Sequence, residues 1–178
     1  SVKNERIVKK YGGHRNIHAN MITLKVSNNK NFLFIGFIDG VVKQLSISYE
    51  RIFKNYKISD DKLVDILVTS NNLYSFFLYR NQFLYQISLK NQKLIENFGN
   101  LFPYMEIGQS WGRIEMSSEE NIIISSGRNG FIIEISLPNR QIIHEYQIDK
   151  EYIYQIKKPI KNEFFFITGD NSFLEGDL

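Results

Sequence analysis

The sequence predicts an all-β chain made of one repeated four-stranded unit, and three observations carry that expectation. The 178 residues include 26 isoleucines, 14 phenylalanines and 10 tyrosines but a single alanine, Ala19. β-Branched and aromatic side chains suit a pleated, half-buried surface, whereas touching helices need small residues, so the balance favours strands. Polar turn signals flanked by apolar runs recur at Asp39, Asn81, Asn129 and Asn171, which are 42, 48 and 42 residues apart. Asn and Asp tolerate the left-handed backbone that tight hairpins demand. Finally, the segments around these corners line up with one another: 34–47 with 76–89, 124–137 and 165–178.

Each unit divides into short strands. The first strand is expected at 22–26, 64–68, 113–116 and 152–156, and the second at 32–37, 73–79, 121–126 and 163–168. The third falls at 42–47, 83–89, 131–137 and 173–177, and the fourth at 51–56, 93–98 and 141–148. Units therefore span about 18–57, 58–98, 107–148 and 149–178. The segment from Arg6 to Tyr11 resembles that from Arg51 to Tyr56, so 5–11 reads as a fourth strand of a neighbouring or of the last unit. Four strands in roughly 40 to 45 residues is the blade of a β-propeller. Two arrangements are open: an arc of a larger ring, which the start at Ser1 favours as a sign of a fragment or processed chain, or a small closed ring of four.

On these residues the chain resembles the WD-repeat (WD40-like) family, with degenerate repeats. His18 precedes Ile22, Asp39-Gly40 makes the hairpin turn, and Leu45-Ser46 stands where that family carries Trp-Asp. Later units place Ile87-Ser88, Ile135-Ser136 and Gly176-Asp177 there, with Ser125 in the second strand of the third unit. The signature Trp is missing from every unit and only Asp177 keeps the acid, so the family's His-Ser-Asp-Trp network cannot form in full. The resemblance implies a non-catalytic scaffold, a subunit of a larger protein complex that presents rigid loops and sheet faces to other proteins.

Composition excludes several classes. With 43% hydrophobic and 23% charged residues the chain is not a disordered tail. No stretch approaches the ~20 apolar residues of a membrane span. The absence of cysteine removes disulfides, thiol catalysis and thiolate metal sites, and fits an intracellular setting, cytoplasmic or within a cytoskeletal or nuclear complex. His14 and His18 are four apart but follow Gly12-Gly13 in a loop, which gives no support to a helical zinc pair, and His144 stands alone. Asp60-Asp61 and Glu119-Glu120 lie in polar turns where solvation leaves little reason for acid-base work. The expectation is no enzyme, no metal and no cofactor.

Two surfaces stand out. The wider spacing between the second and third units inserts about six residues within Gly99 to Gly112, and Phe102, Tyr104, Met105 and Trp111 make this loop a candidate partner-binding site. Residues 1–57 carry 11 Lys or Arg against 3 acids, while 58–178 carry 11 against 16. Lys9, Lys10, Arg15, Lys25 and Lys43 therefore form a basic surface, and the alternative reading is a propeller that binds RNA or a phosphoinositide. The aromatic runs at Phe76, Phe77 and Tyr79 and at Phe164 to Phe166 are assigned to the core.

Overall fold

The structure, a computed structural model, describes residues 21–100, 112–117, 121–125, 130–147, 153–157, 163–168 and 173–177. The first sheet contains β1 (Met21–Val26), β2 (Phe32–Phe37), β3 (Val41–Ser46) and β4 (Arg51–Lys57). The second contains β5 (Leu63–Val68), β6 (Tyr74–Tyr79), β7 (Phe83–Ser88) and β8 (Lys93–Asn100). The third contains β9 (Arg113–Met116), β10 (Asn121–Ser125), β11 (Phe131–Ser136) and β12 (Gln141–Gln147). β13 (Ile153–Lys157), β14 (Glu163–Thr168) and β15 (Phe173–Asp177) make a three-stranded fourth sheet. All pairings are antiparallel between chain neighbours, and the described residues contain no helix. The fifteen strands among the described residues match strands expected from the sequence, with bounds that agree to within two residues, and the further strand expected at 5–11 lies outside the described residues.

Hairpin corners repeat in detail. β2 and β6 each turn into the next strand through three residues: the Gly40 N–H donates to Phe37 O at 3.0 Å, and the Gln82 N–H to Tyr79 O at 2.9 Å. Asp39 Oδ1 accepts from the Val41 N–H at 3.1 Å and Asn81 Oδ1 from the Phe83 N–H at 3.3 Å, so these residues brace the corner through their side chains and are not themselves left-handed, contrary to the expectation. The next residue is left-handed each time, Gly40 at φ 82° and Gln82 at φ 68°, as a type I turn closed by a bulge requires. Asn129 and Asn171 lie outside the described residues. The third hairpin is one residue longer than the first two: Phe32 pairs with Ser46 and Tyr74 with Ser88, but Asn121 pairs with Ser136.

A serine ends the third strand of each of the first three sheets and braces the loop that follows. Oγ of Ser46, Ser88 and Ser136 accepts the N–H of Tyr49, Asn91 and Asn139 at 3.3, 3.2 and 3.4 Å, bracing the four-residue loop into each fourth strand. A second equivalent pair, Ser27 and Thr69, braces the loop after each first strand by accepting the N–H of Phe32 and Tyr74 at 2.9 and 3.1 Å.

The core lies between sheets rather than within one. Phe34, Val42 and Tyr56 of the first sheet meet Leu63, Ile66, Phe77, Tyr79 and Ile87 of the second. The opposite face of the second sheet, with Leu67, Phe76, Leu78 and Leu84, meets Ile114, Ile122, Ile124, Ile133 and Ile135 of the third. β5, β6 and β7 of the second sheet are thus buried on both faces, which explains the run of adjacent apolar residues in β6. Gly36 is required for the close approach, since a Cβ there would run into Leu63 Cδ2 and Thr23 Cγ2. The first strands pack side by side in series, β1 with β5, β5 with β9, and β9 with β13. The fourth strands lie outermost, and β4 and β12 are largely exposed.

Candidate functional site

The first strands converge on one cavity of about 370 Å³. Its polar lining comes from Thr23 and Lys25 on β1, Asp65 on β5, Arg113 and Glu115 on β9, and Gln155 on β13. Thr23, Asp65, Arg113 and Gln155 are 42, 48 and 42 residues apart, the same intervals as the hairpin corners, so one position of the repeat supplies a polar side chain four times. A bulge precedes this position in three of the strands, between Met21 and Thr23, Leu63 and Asp65, and Ile153 and Gln155. The extra residue re-aims the side chain that follows it.

Asp65 ties these strands together. It is 5% exposed, and its Oδ1 accepts the Thr23 hydroxyl at 2.9 Å and its neighbour's Ile66 N–H at 2.8 Å. Oδ2 accepts the Ile114 N–H at 3.4 Å from β9. A carboxylate held by three donors is fixed in orientation and compensated for its burial. Its role is therefore to join three sheets at the cavity wall.

A second cavity of about 230 Å³ opens beside the first and shares Ile22, Val64 and Arg113 with it. Ile22, Ile38, Leu63 and Val64 form an aliphatic floor. Lys62, Arg80 and Arg113 complete the lining among the described residues. Arg113 donates one N–H to Gly112 O at 3.0 Å.

A separate polar cluster lies inside the third sheet. Glu134 Oε1 accepts the Ser117 hydroxyl at 2.6 Å and Asn121 Nδ2–H at 3.1 Å, while Oε2 accepts from His144 Nδ1 at 2.9 Å. Burial pushes the Glu134 carboxyl up, but the hydrogen bonds from Ser117, His144 and Asn121 outweigh it and hold the group below the usual carboxylate range. Ser117 and His144 both address the carboxylate rather than each other, an arrangement that braces the sheet and does not activate the serine.

Of the residues singled out from the sequence, Lys25 lines the polar cavity, and the Lys43 ammonium sits 5.0 Å above the Phe37 ring, folded against its own sheet. Asp39 and Asn81 brace hairpins as described, and Phe76, Phe77 and Tyr79 are buried in the core. Phe102, Tyr104, Met105, Trp111, Lys9, Lys10 and Arg15 lie outside the described residues. Sequence reading missed Thr23, Asp65, Arg113 and Gln155, although their spacing was available as a signal; Lys62 and Arg80 carried none. No protein-family model matches the chain, and no curated protein matches it.

Proposed function

We propose that the chain is a WD-like β-propeller, as an arc of a larger ring or a small closed one, and that it works as a protein-interaction scaffold whose partners dock where the first strands converge. The observation that carries this reading is the fourfold use of one repeat position, Thr23, Asp65, Arg113 and Gln155, around a single cavity. Sheets stacked through continuous apolar layers give such a site rigid walls, and recognition by preformed surfaces needs that rigidity. Side chains at the cavity are engaged structurally, as Asp65 is, which favours holding over chemistry. The test is amine-reactive cross-linking of the full-length protein with the partners that co-purify with it. Cross-links should concentrate at Lys25 and Lys62 and spare Lys54 and Lys93 on the outer strands. The reverse distribution overturns the site.

A further inference from the structure

We propose that two copies of this chain join head to tail, the fourth sheet of each seated on the open face of the other's first sheet. This rests on the propeller reading in its arc form and names what completes the ring. Leu24 of β1 holds the repeat position of Ile66, Ile114 and Ile156 in the three later sheets. Those three are 0%, 2% and 3% exposed, whereas Leu24 is 48% exposed. In register Leu24 stands opposite Ile35, Val26 opposite Leu33 and Met21 opposite Phe37. Opposed residues of paired strands and alternate residues of one strand share a face, so these six lie together, on the side away from Phe34. In the second sheet the same face, with Ile66 and Phe77, is covered by Phe34, Val42 and Tyr56 of the sheet before it. The repeat therefore specifies the cover: another sheet of the same kind, offering the face that the first sheet offers to the second.

The chain's own fourth sheet does not fill the place. β13 packs on β9, but among the described residues it does not pack on β1 in the way that β5 does. The fourth sheet of a second copy has the required register. β14 and β15 pair Phe165 with Glu175 and Ile167 with Phe173, as β2 and β3 pair Phe34 with Gln44 and Gly36 with Val42. Charge fits the same pairing. Residues 18–57 hold six Lys or Arg against Asp39 and Glu50, while residues 149–178 hold four Lys against six acids. Lys43 stands on the open face itself, opposite Ile35 in register. First sheet on first sheet would set cation against cation, whereas first on fourth sets opposite charges together, which selects the head-to-tail arrangement. Such contacts are heterologous, and two of them about a two-fold axis close a ring. Two sets of four sheets make eight, within the range that propellers span.

The experiment is sedimentation velocity of the full chain from about 1 to 100 µM. At the upper concentrations the expected mass is twice the 21.0 kDa of one chain. Leu24→Asp should leave the far-UV signal unchanged and raise the dimer dissociation constant about tenfold or more, because it sets a carboxylate in an apolar contact. Leu24→Ser should act in the same direction with a smaller effect. Glu175→Lys should weaken the dimer by about fivefold, the value of a partly exposed charge pair. Orientation is read by carbodiimide, which joins an amine directly to a carboxylate, applied to a mixture of isotopically light and heavy chains. Links between copies should join Lys43 to Glu163, Glu175 or Asp177. A monomer at about 100 µM, a series longer than two copies, a dimer that both Leu24 variants leave intact, or links between copies confined to other segments each overturns the proposal. The scaffold reading is decided by cross-links at Lys25 and Lys62 to other proteins, so the two readings fail separately.

Discussion

Thr23 and Asp65 hold the same position in successive units, forty-two residues apart, and the hydroxyl of the first donates to the carboxylate of the second at 2.9 Å. The hydrogen bond joins two sheets at the strands nearest the cavity, and the Ile114 N–H brings in a third. Asp65→Ala would leave the Thr23 hydroxyl and two backbone N–H groups without their acceptor in a buried site. Each such orphan costs ~1 kcal/mol or more, so a loss of about 2 to 4 kcal/mol is expected. At ~2 to 4 °C per kcal/mol for a chain of this size, thermal unfolding should begin clearly earlier. Thr23→Val should cost less, and the double variant should lose less than the sum, which a double-mutant cycle measures.

Gly36 permits the first two sheets to close. A Cβ would collide with side-chain ends of Leu63 and Thr23, which can move only by disturbing a layer that also holds Ile66. Gly36→Val is expected to destabilise by ~1 to 3 kcal/mol through overpacking. Trimming the obstacle should restore part of the loss, so Gly36→Ala combined with Leu63→Val should unfold at higher denaturant than additivity allows. Strict additivity would mean that the two residues do not share a contact.

Corners and strands were legible because their chemistry is local. Asp39 and Asn81 announce hairpin corners by residue type, and Phe76 to Tyr79 announce burial by an unbroken apolar run. Asp65 was not legible in the same way, since one acid within Leu63 to Val68 reads as a solvent-facing strand residue, and its partners lie one repeat away on either side. Thr23, Asp65, Arg113 and Gln155 differ in chemistry, so their common role emerges only when their intervals are compared with those of the corners. The lining of the smaller cavity depends on packing, because Lys62 and Arg80 flank separate strands and carry no common signal in the sequence.

Gln82 occupies the left-handed corner position that Gly40 and Gly130 hold in two other units, at φ 68°. It is 2% exposed, and neither its Nε2 nor its Oε1 has a hydrogen-bond partner among the described residues. Gln82→Gly would relieve ~1 kcal/mol of backbone strain and remove two unsatisfied polar atoms worth ~1 to 3 kcal/mol each. Against this stand the lost packing of the side chain and ~0.5 to 1 kcal/mol of additional unfolded-state entropy. The favourable contributions win, and the variant should melt a few degrees higher than the parent. A lower melting temperature would place the value of Gln82 in its methylene contacts.

Glu134 sets an acid limb. Its carboxyl titrates below its ordinary value near 4.5 in the folded chain, so the unfolded chain takes up the proton first as pH falls. The contribution is complete above pH 4.5 and is lost as pH drops through the lower folded value. Glu134→Gln should be less stable by ~1 to 2 kcal/mol at neutral pH, where it loses a charge-assisted bond to His144. The gap should narrow steadily below pH 4.5 in urea melts. A gap independent of pH would assign the whole effect to shape rather than charge.

At the other end of the pH scale the buried tyrosines act. Burial pushes the Tyr56 hydroxyl from 10.0 up to about 12, and Tyr79 is raised in the same direction. Tyr56 donates to Gln44 Oε1 at 2.7 Å, with its ring edge-on to Phe77 at 5.5 Å across the first two sheets. Because the folded chain holds these protons longer than the unfolded one, the stabilisation is complete below pH 10 and disappears as pH rises toward 12. Tyrosinate absorbance should therefore rise in two stages, with at least two of the ten tyrosines delayed until the far-UV signal of the sheets is lost. Tyr56→Phe should remove one delayed step and flatten the alkaline limb. It should also cost ~1 to 2 kcal/mol at neutral pH, because Gln44 Oε1 loses the Tyr56 hydroxyl. If all ten tyrosines ionise together while the sheets remain intact, the layer between the first two sheets is open to solvent and the rigid wall assigned to the cavity is lost with it.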